Sequence, residues 1–136
     1  MAGYSGTTLW KKLGYKDGDR AFVAGAPPTY ATMLGLPPDI SVRWEKRAQK
    51  GISFVHLFSA SRAKLEPKLE FLRKSMALEG VIWVSWPKKS SGVRSDITEN
   101  VVREIALPLG LVDVKVCAVD DTWSGLKLVI RKELRH

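Results

Sequence analysis

Val81-Ile82-Trp83-Val84-Ser85-Trp86-Pro87-Lys88-Lys89 reads as a strand that is apolar on both faces and ends in an aromatic, a proline and two lysines. A short run this apolar belongs in the middle of a sheet covered on both sides, where alternation is lost because neither face meets water. Gly80 launches it. Downstream, Asp96-Ile97-Thr98-Glu99 has the spacing of a capping box with Asp at its head, and Ile97, Val101, Ile105 and Leu109 recur at every fourth position. A buried strand leading into an amphipathic helix is the unit from which open α/β sheets are built.

The same unit precedes it. Ile52-Ser53-Phe54-Val55-His56-Leu57-Phe58 is nearly continuous in apolar character, and residues 61–77 place Leu65, Leu69, Leu72 and Met76 on one helical stripe. Arg20-Ala21-Phe22-Val23-Ala24-Gly25 is a first strand. Pro27-Pro28 opens a short helix around Tyr30 to Leu34, with Gly35 as its stop. Ile40-Ser41-Val42-Arg43-Trp44 alternates with period two, as a half-buried edge strand does. Thr7 or Thr8 caps a helix at Leu9-Trp10-Lys11-Lys12-Leu13, which Gly14 closes; residues 1–18 thus form an N-terminal helical flap. At the other end, residues 111–118 alternate, as do Leu126, Leu128 and Ile130, and these strands flank Asp120-Asp121-Thr122-Trp123-Ser124-Gly125, an antiparallel hairpin. The expected fold is a single α/β domain over residues 1–136. It has one open, mostly parallel sheet of six strands, helices on both faces and a C-terminal antiparallel hairpin.

Composition agrees with one soluble domain. A chain of 136 residues, 45% apolar and 26% charged, is long enough for a sizeable core and has no low-complexity tract. No basic segment followed by an apolar one opens the chain, and no apolar run approaches the roughly 18 residues that cross a bilayer, so a cytoplasmic protein without a transmembrane segment is expected. The lone Cys117 rules out a disulfide within the chain or a multi-cysteine metal site and reads as a small buried hydrophobe. A net charge of +8 favours acidic partners. Only Arg43, Lys46, Arg47 and Lys50 are dense, however, and the rest of the basic residues read as a solvated surface.

From Ile52 onward the order strand, helix, Gly80-led strand, helix, hairpin resembles the second half of the Rossmann-like methyltransferase fold, whose last strand runs antiparallel. At finer grain, Ala2-Gly3-Tyr4-Ser5-Gly6-Thr7, Trp83-Val84-Ser85-Trp86-Pro87-Lys88-Lys89, Thr98-Glu99-Asn100-Val101-Val102-Arg103 and residues 114–127 look like the recurrent segments of an uncharacterised bacterial family, domain of unknown function 3052. That resemblance implies no established activity and brings no catalytic residue with it. The methyltransferase resemblance implies a cofactor site after the first strand, in a glycine-rich turn whose missing side chains let the backbone approach the ligand. Here the turn reads Ala24-Gly25-Ala26-Pro27-Pro28-Thr29, one glycine followed by prolines that remove amide donors. Glu45 stands near the place of a ribose-binding acid but reads as a solvated charge beside Arg43 and Lys46, and the strand–helix unit after it is missing. These departures weigh against methyl transfer from S-adenosylmethionine and against catalysis in general; no cofactor is expected.

Ligands of open parallel sheets sit outside the carboxyl ends of the strands. That rule selects residues 25–29, 59–62 and 86–89, together with the hairpin 120–125 if the penultimate strand is parallel. Lys88, Lys89 and Ser91 lie in a loop running towards a helix N-terminus, where amides and the dipole favour an anion, and Arg62 joins them from the neighbouring strand end. Trp86 and Trp123, with Ser124, offer flat faces to a planar ligand, whereas Trp83 belongs to the core. Asp120 and Asp121 are a turn or a carboxylate pair for acid–base work, and adjacent residues pointing apart favour the turn. His56, without a Ser, Cys or acid nearby in sequence, is a core histidine. No zinc signature, phosphate loop or nucleophile elbow occurs, so no metal site is expected. The function expected is that of a non-catalytic, methyltransferase-like domain binding an anionic, nucleotide-like ligand or partner at the carboxyl edge. A small enzyme using Asp120 or Asp121, or a basic nucleic-acid-binding protein, are the alternatives. Oligomeric state is not readable, although the strand at residues 40–44 offers an edge for pairing.

Overall fold

The computed structural model describes residues 8–136; the first part of the flap, the Thr7 cap and the segment 2–7 lie outside the described residues. Helix α1 (Leu9–Leu13) begins after Thr8 and stops at Gly14, where a left-handed φ of 86° turns the amide back onto the carbonyls of Trp10 and Lys11. There follow β1 (Arg20–Ala24), α2 (Tyr30–Leu34), β2 (Arg43–Glu45), β3 (Ile52–Phe58), α3 (Arg62–Ser75), β4 (Met76–Pro87), α4 (Glu99–Ala106), β5 (Leu111–Ala118) and β6 (Trp123–Ile130). Among the described residues they form a six-stranded sheet in the order β2-β1-β3-β4-β6-β5. Strands β1 to β4 pair in parallel, while β6 runs antiparallel to both β4 and β5. The mostly parallel sheet with its terminal hairpin is therefore present, and the end of β5 reaches the carboxyl edge.

Period two along each strand divides the core. Val55 and Leu57 of β3 and Ile82, Val84 and Trp86 of β4 pack with Leu65, Leu69 and Leu72 of α3 and Val102 and Ile105 of α4. Phe54, Phe58 and Trp83, one position out of phase, pack on the opposite face with Leu9, Leu13, Tyr15, Tyr30 and Leu34. Each sheet face thus has its own helices, and β3 is buried on both.

Three local details differ from the sequence expectations. Asp96 does not cap the helix that follows it: its carboxylate accepts the Arg62 amide at the start of α3 (2.7 Å), while Thr98 caps α4 by accepting from the Val101 amide (3.2 Å). The cause is long-range, since the Asp96 amide bonds the Ala60 carbonyl and lays the loop across the front of α3. Strand β4 begins at Met76, directly after α3, and the register against β3 then slips between Ile52↔Met76 and Phe54↔Val81. Gly80 sits in that bulge because a Cβ there would come within 3.0–3.2 Å of three carbonyl oxygens. Finally, the strand expected over residues 40–44 forms as β2 over Arg43–Glu45 with only three paired residues, while the return from β2 to β3 crosses β1 in residues 46–51 without a helix, in line with the missing strand–helix unit.

Candidate functional site

From β1 the chain moves outward to β2, then passes back over β1 to β3. The sheet therefore reverses direction between β1 and β3, the switch point at which a crevice opens outside the strand ends. Gly25 stands at one side of it. Its φ is +75°, and a Cβ would lie 2.5 Å from the Phe58 carbonyl oxygen, so only glycine lets the end of β1 turn this close to β3. On the other side, the Ser59 hydroxyl donates to the Ser61 carbonyl (3.1 Å) and accepts from the Ser61 amide (3.2 Å), and the Ser59 amide bonds the Ser85 carbonyl of β4. The turn after β1 thus packs closely on the end of β3, and the turn after β3 is tied by its backbone to β4.

Beneath this edge lies a buried polar chain. The Tyr15 and Tyr30 hydroxyls meet at 2.7 Å, the Tyr30 hydroxyl meets His56 Nδ1 at 2.8 Å, and His56 Nε2 meets Ser85 Oγ at 2.7 Å. Burial pushes the His56 pKa down to about 3, so the ring is neutral and donates through one nitrogen while accepting through the other. Burial also raises both tyrosines well above their ordinary value, keeping them protonated. Trp83 donates from Nε1 to the Leu13 carbonyl at 2.7 Å, tying α1 to the sheet. Among the described residues every buried side-chain polar atom has a partner. His56 is a core histidine, but its partners lie 26 and 29 positions away in sequence, where no local pattern signals them.

The residues singled out by sequence fall into two corners of the same edge. Lys88 donates from Nζ to the Asp120 carbonyl (2.7 Å), and its amide bonds the Thr122 carbonyl, so its charge sits on the hairpin turn. Asp120 accepts the amides of Thr122 (2.8 Å) and Trp123 (2.7 Å), the work of a turn former. Ser91 donates to the Lys88 carbonyl at 2.6 Å, closing the loop, while Lys89 is exposed. Ser124 pairs with Trp86 and Ala118 inside the hairpin. Trp86 packs in the α3–α4 core, whereas Trp123 meets Phe58 edge-on at 5.1 Å on the opposite face, so the two rings do not oppose each other across one cleft. In the second corner, Arg62 is held by Glu66 (2.7 Å) and Glu104 (2.9 Å). Glu45 is not a solvated charge: its carboxylate is only 13% exposed and accepts from Arg20 Nε at 3.0 Å. Cys117 is buried, and desolvation raises its thiol. Among the described residues, no three His, Cys, Asp or Glu side chains converge to hold a metal ion, and no helix is long and apolar enough to cross a membrane.

No protein-family model matches the chain, and no curated protein matches it in sequence. Solved structures do. A SAM-dependent methyltransferase from Aquifex aeolicus superposes with a TM-score of 0.62 at 15% identity, covering 90% of this chain and 88% of its own. The O-methyltransferase NcsB1 from neocarzinostatin biosynthesis, in complex with S-adenosylmethionine, gives 0.65 at 12% identity over 89% of this chain and 50% of its own. Aeropyrum pernix fibrillarin with natively bound S-adenosyl-L-methionine gives 0.58 at 15% identity, covering 86% and 69%. The chain spans about half the length of others, such as 47% of LepI in complex with SAM.

These likenesses correct three expectations. A non-catalytic domain, with Asp120 or Asp121 catalysis and nucleic-acid binding as its alternatives, no longer stands as the leading account of the chain. Nor do the weighing against an enzyme of the S-adenosylmethionine-dependent kind and the expected lack of a cofactor, since structures of this shape hold SAM. The physical reason lies at Gly25. Counting glycines in the turn understated it, because the close approach of β1 to β3 needs a left-handed, side-chain-free residue at this single point. The chain has the Rossmann-like fold of the S-adenosylmethionine-dependent methyltransferases.

Proposed function

We propose that the protein binds S-adenosylmethionine at the carboxyl ends of β1 and β3 and transfers its methyl group to a substrate. The observation that carries this reading is the switch point itself. The strand order reverses beside an exposed, left-handed Gly25 packed against the Phe58 carbonyl, in a sheet shared with structures that hold SAM. The residues present fit such a cofactor in part: Gly25, Ala26, Ser59 and Ala60 would border it through backbone. Glu45, tied to Arg20, would reach a ribose only by exchanging that ion pair. The bound cofactor supplies an electrophilic methyl group, and this chain's residues hold and orient it. The ligand so described is nucleoside-like, in keeping with the character expected for this edge. The likeness of residues 83–89, 98–103 and 114–127 to domain of unknown function 3052 extends the same proposal to that family.

Calorimetry with S-adenosylmethionine and SAH, followed by amide chemical-shift mapping, tests it. We expect saturable binding of both, with the largest shifts at Gly25, Ala26, Ser59 and Ala60. Binding of neither compound at millimolar concentration, or shifts confined to the Lys88–Asp120 corner, would remove the proposed site.

A further inference from the structure

We propose that the groove on the α3 side of β1 and β3 docks an acidic amphipathic helix of another protein. A parallel crossover ordinarily takes about a dozen residues and brings a helix onto the sheet. Here residues 46–51 cross without one, and this part of the sheet face is left with a shallow apolar depression of about 190 Å³. Phe22 and Ala24 of β1, Leu57 of β3, Ala48 of the crossover and Phe71 and Leu72 of α3 line it, with Lys68 at its lip. Phe71 is 58% exposed on an otherwise well-packed helix. The depression falls below the roughly 300 Å³ at which small-molecule pockets begin. A row of apolar anchors from a helix, spaced three and four residues apart, fits it better.

Charge selects the partner. Lys46, Arg47 and Lys50 of the crossover and Lys68 of α3 are exposed, and among the described residues none of their side chains has a hydrogen-bond or ion-pair partner. The nearby acids are already engaged, Glu45 by Arg20, Glu66 by Arg62 and Glu70 by Lys74. Lys68 lines the depression and Lys46, Arg47 and Lys50 flank its Ala48 in the crossover, so the surroundings of the apolar floor carry a surplus of positive charge. A second copy of this chain, with its net charge of +8, would bring like charge to it. Nucleic acid would satisfy this charge and leave the apolar floor uncovered.

The test is selection of ~20-residue peptides, randomised at every position, on the immobilised full chain. We expect enrichment of sequences with Leu, Ile or Phe at i, i+3 or i+4 and i+7 flanked by Asp and Glu. Their affinity, by fluorescence anisotropy, falls about tenfold or more in Phe71→Glu and in a Lys46→Glu/Arg47→Glu/Lys50→Glu variant. Both sites are exposed, and unchanged thermal melts by circular dichroism establish that the variants fold. Failure to enrich this pattern, or affinity indifferent to Phe71→Glu, overturns the proposal. So does a duplex RNA that depends on the same residues as strongly as the peptides, or self-association of the wild type that Phe71→Glu abolishes.

Discussion

His56 shows how one residue links sequence, fold and solution behaviour. Its ring is wholly buried between Tyr30 and Ser85 and held neutral, with a folded pKa of about 3 against 6.5 in the unfolded chain. Between those values the unfolded state binds a proton that the folded state refuses. The contribution of His56 is therefore intact above pH 6.5 and is lost progressively as pH falls towards 3, at about 1.4 kcal/mol per pH unit once well below 6.5. Urea unfolding of wild type and His56→Gln at pH 7, 6 and 5 checks this. We expect the variant to be less stable at pH 7 and to show a flatter decline, and equal slopes would assign the decline to other groups. His136, the only other histidine, is exposed and is common to both proteins compared. That His56 belongs to the core was legible from its place in an apolar run. Its bond to Ser85 was not, because strand pairing, which no local pattern encodes, brings β3 and β4 together. Glu45 is the matching case: its neighbours in sequence suggested a solvated charge, while its neighbour across the sheet, Arg20, takes it out of solvent.

Among the elements, those whose signals are local were legible to within a few residues. α1 and α2 end where Gly14 and Gly35 supply left-handed caps, at φ of 86° and 64°. The helix expected over residues 61–77 forms over Arg62–Ser75, and its Ser61 cap accepts the Lys64 amide at 3.3 Å. Within it, Pro67 sits past the first turn, where its missing N–H leaves the Ala63 carbonyl without its helical donor. Pro67 is exposed, so no packing recommends it. Pro67→Ala is expected to raise unfolding stability by about 1–3 kcal/mol, and Thr98→Ala, which removes the cap of α4, to lower it by about 1 kcal/mol. Denaturant midpoints measure both; a destabilised Pro67→Ala would mean that the proline shapes the start of α3 for a purpose the helix alone does not explain. Asp96 was misassigned for the converse reason, since a capping side chain serves whichever amide the tertiary path presents, and here that is Arg62.

At the scale of the molecule, the sheet sets a gradient of stability. β1, β3, β4 and β6 each have a strand on both sides, whereas β2 and β5 are edges and β2 covers β1 through only three paired residues. Native-state hydrogen exchange is expected to show the slowest amides in β3, β4 and β6, exchanging through global unfolding, while β2 and the crossover after it open locally. Protection of β2 equal to that of β3 would contradict this ordering. The same map, repeated with S-adenosylmethionine, reports whether the proposed site at the β1–β3 switch point becomes slower to exchange than the Lys88–Asp120 corner. The docking groove lies on the side where β2 and its helix-free crossover leave the sheet thinly covered.

By itself the sequence determined the number and kind of the elements and the core faces of β3, β4 and α3. It did not determine the face of β5, where alternation suggested that Val112, Val114 and Val116 share the apolar side, whereas Val114 and Val116 are exposed and the register shifts between Asp113 and Lys115. Periods of two and 3.6, glycine stops and apolar runs are properties of a few adjacent residues, and Val81 to Pro87 reads as a strand buried on both sides, as it is. Only the tertiary structure decided what meets what. It turned Gly25 from a remnant of a weakened motif into the residue that lets β1 approach β3, bound Glu45 to Arg20, sent Asp96 to the neighbouring helix, and put Trp86 and Trp123 on opposite faces. Each of these depends on strand order and register, which arise from burying both sheet faces at once and are written in no single stretch of the chain.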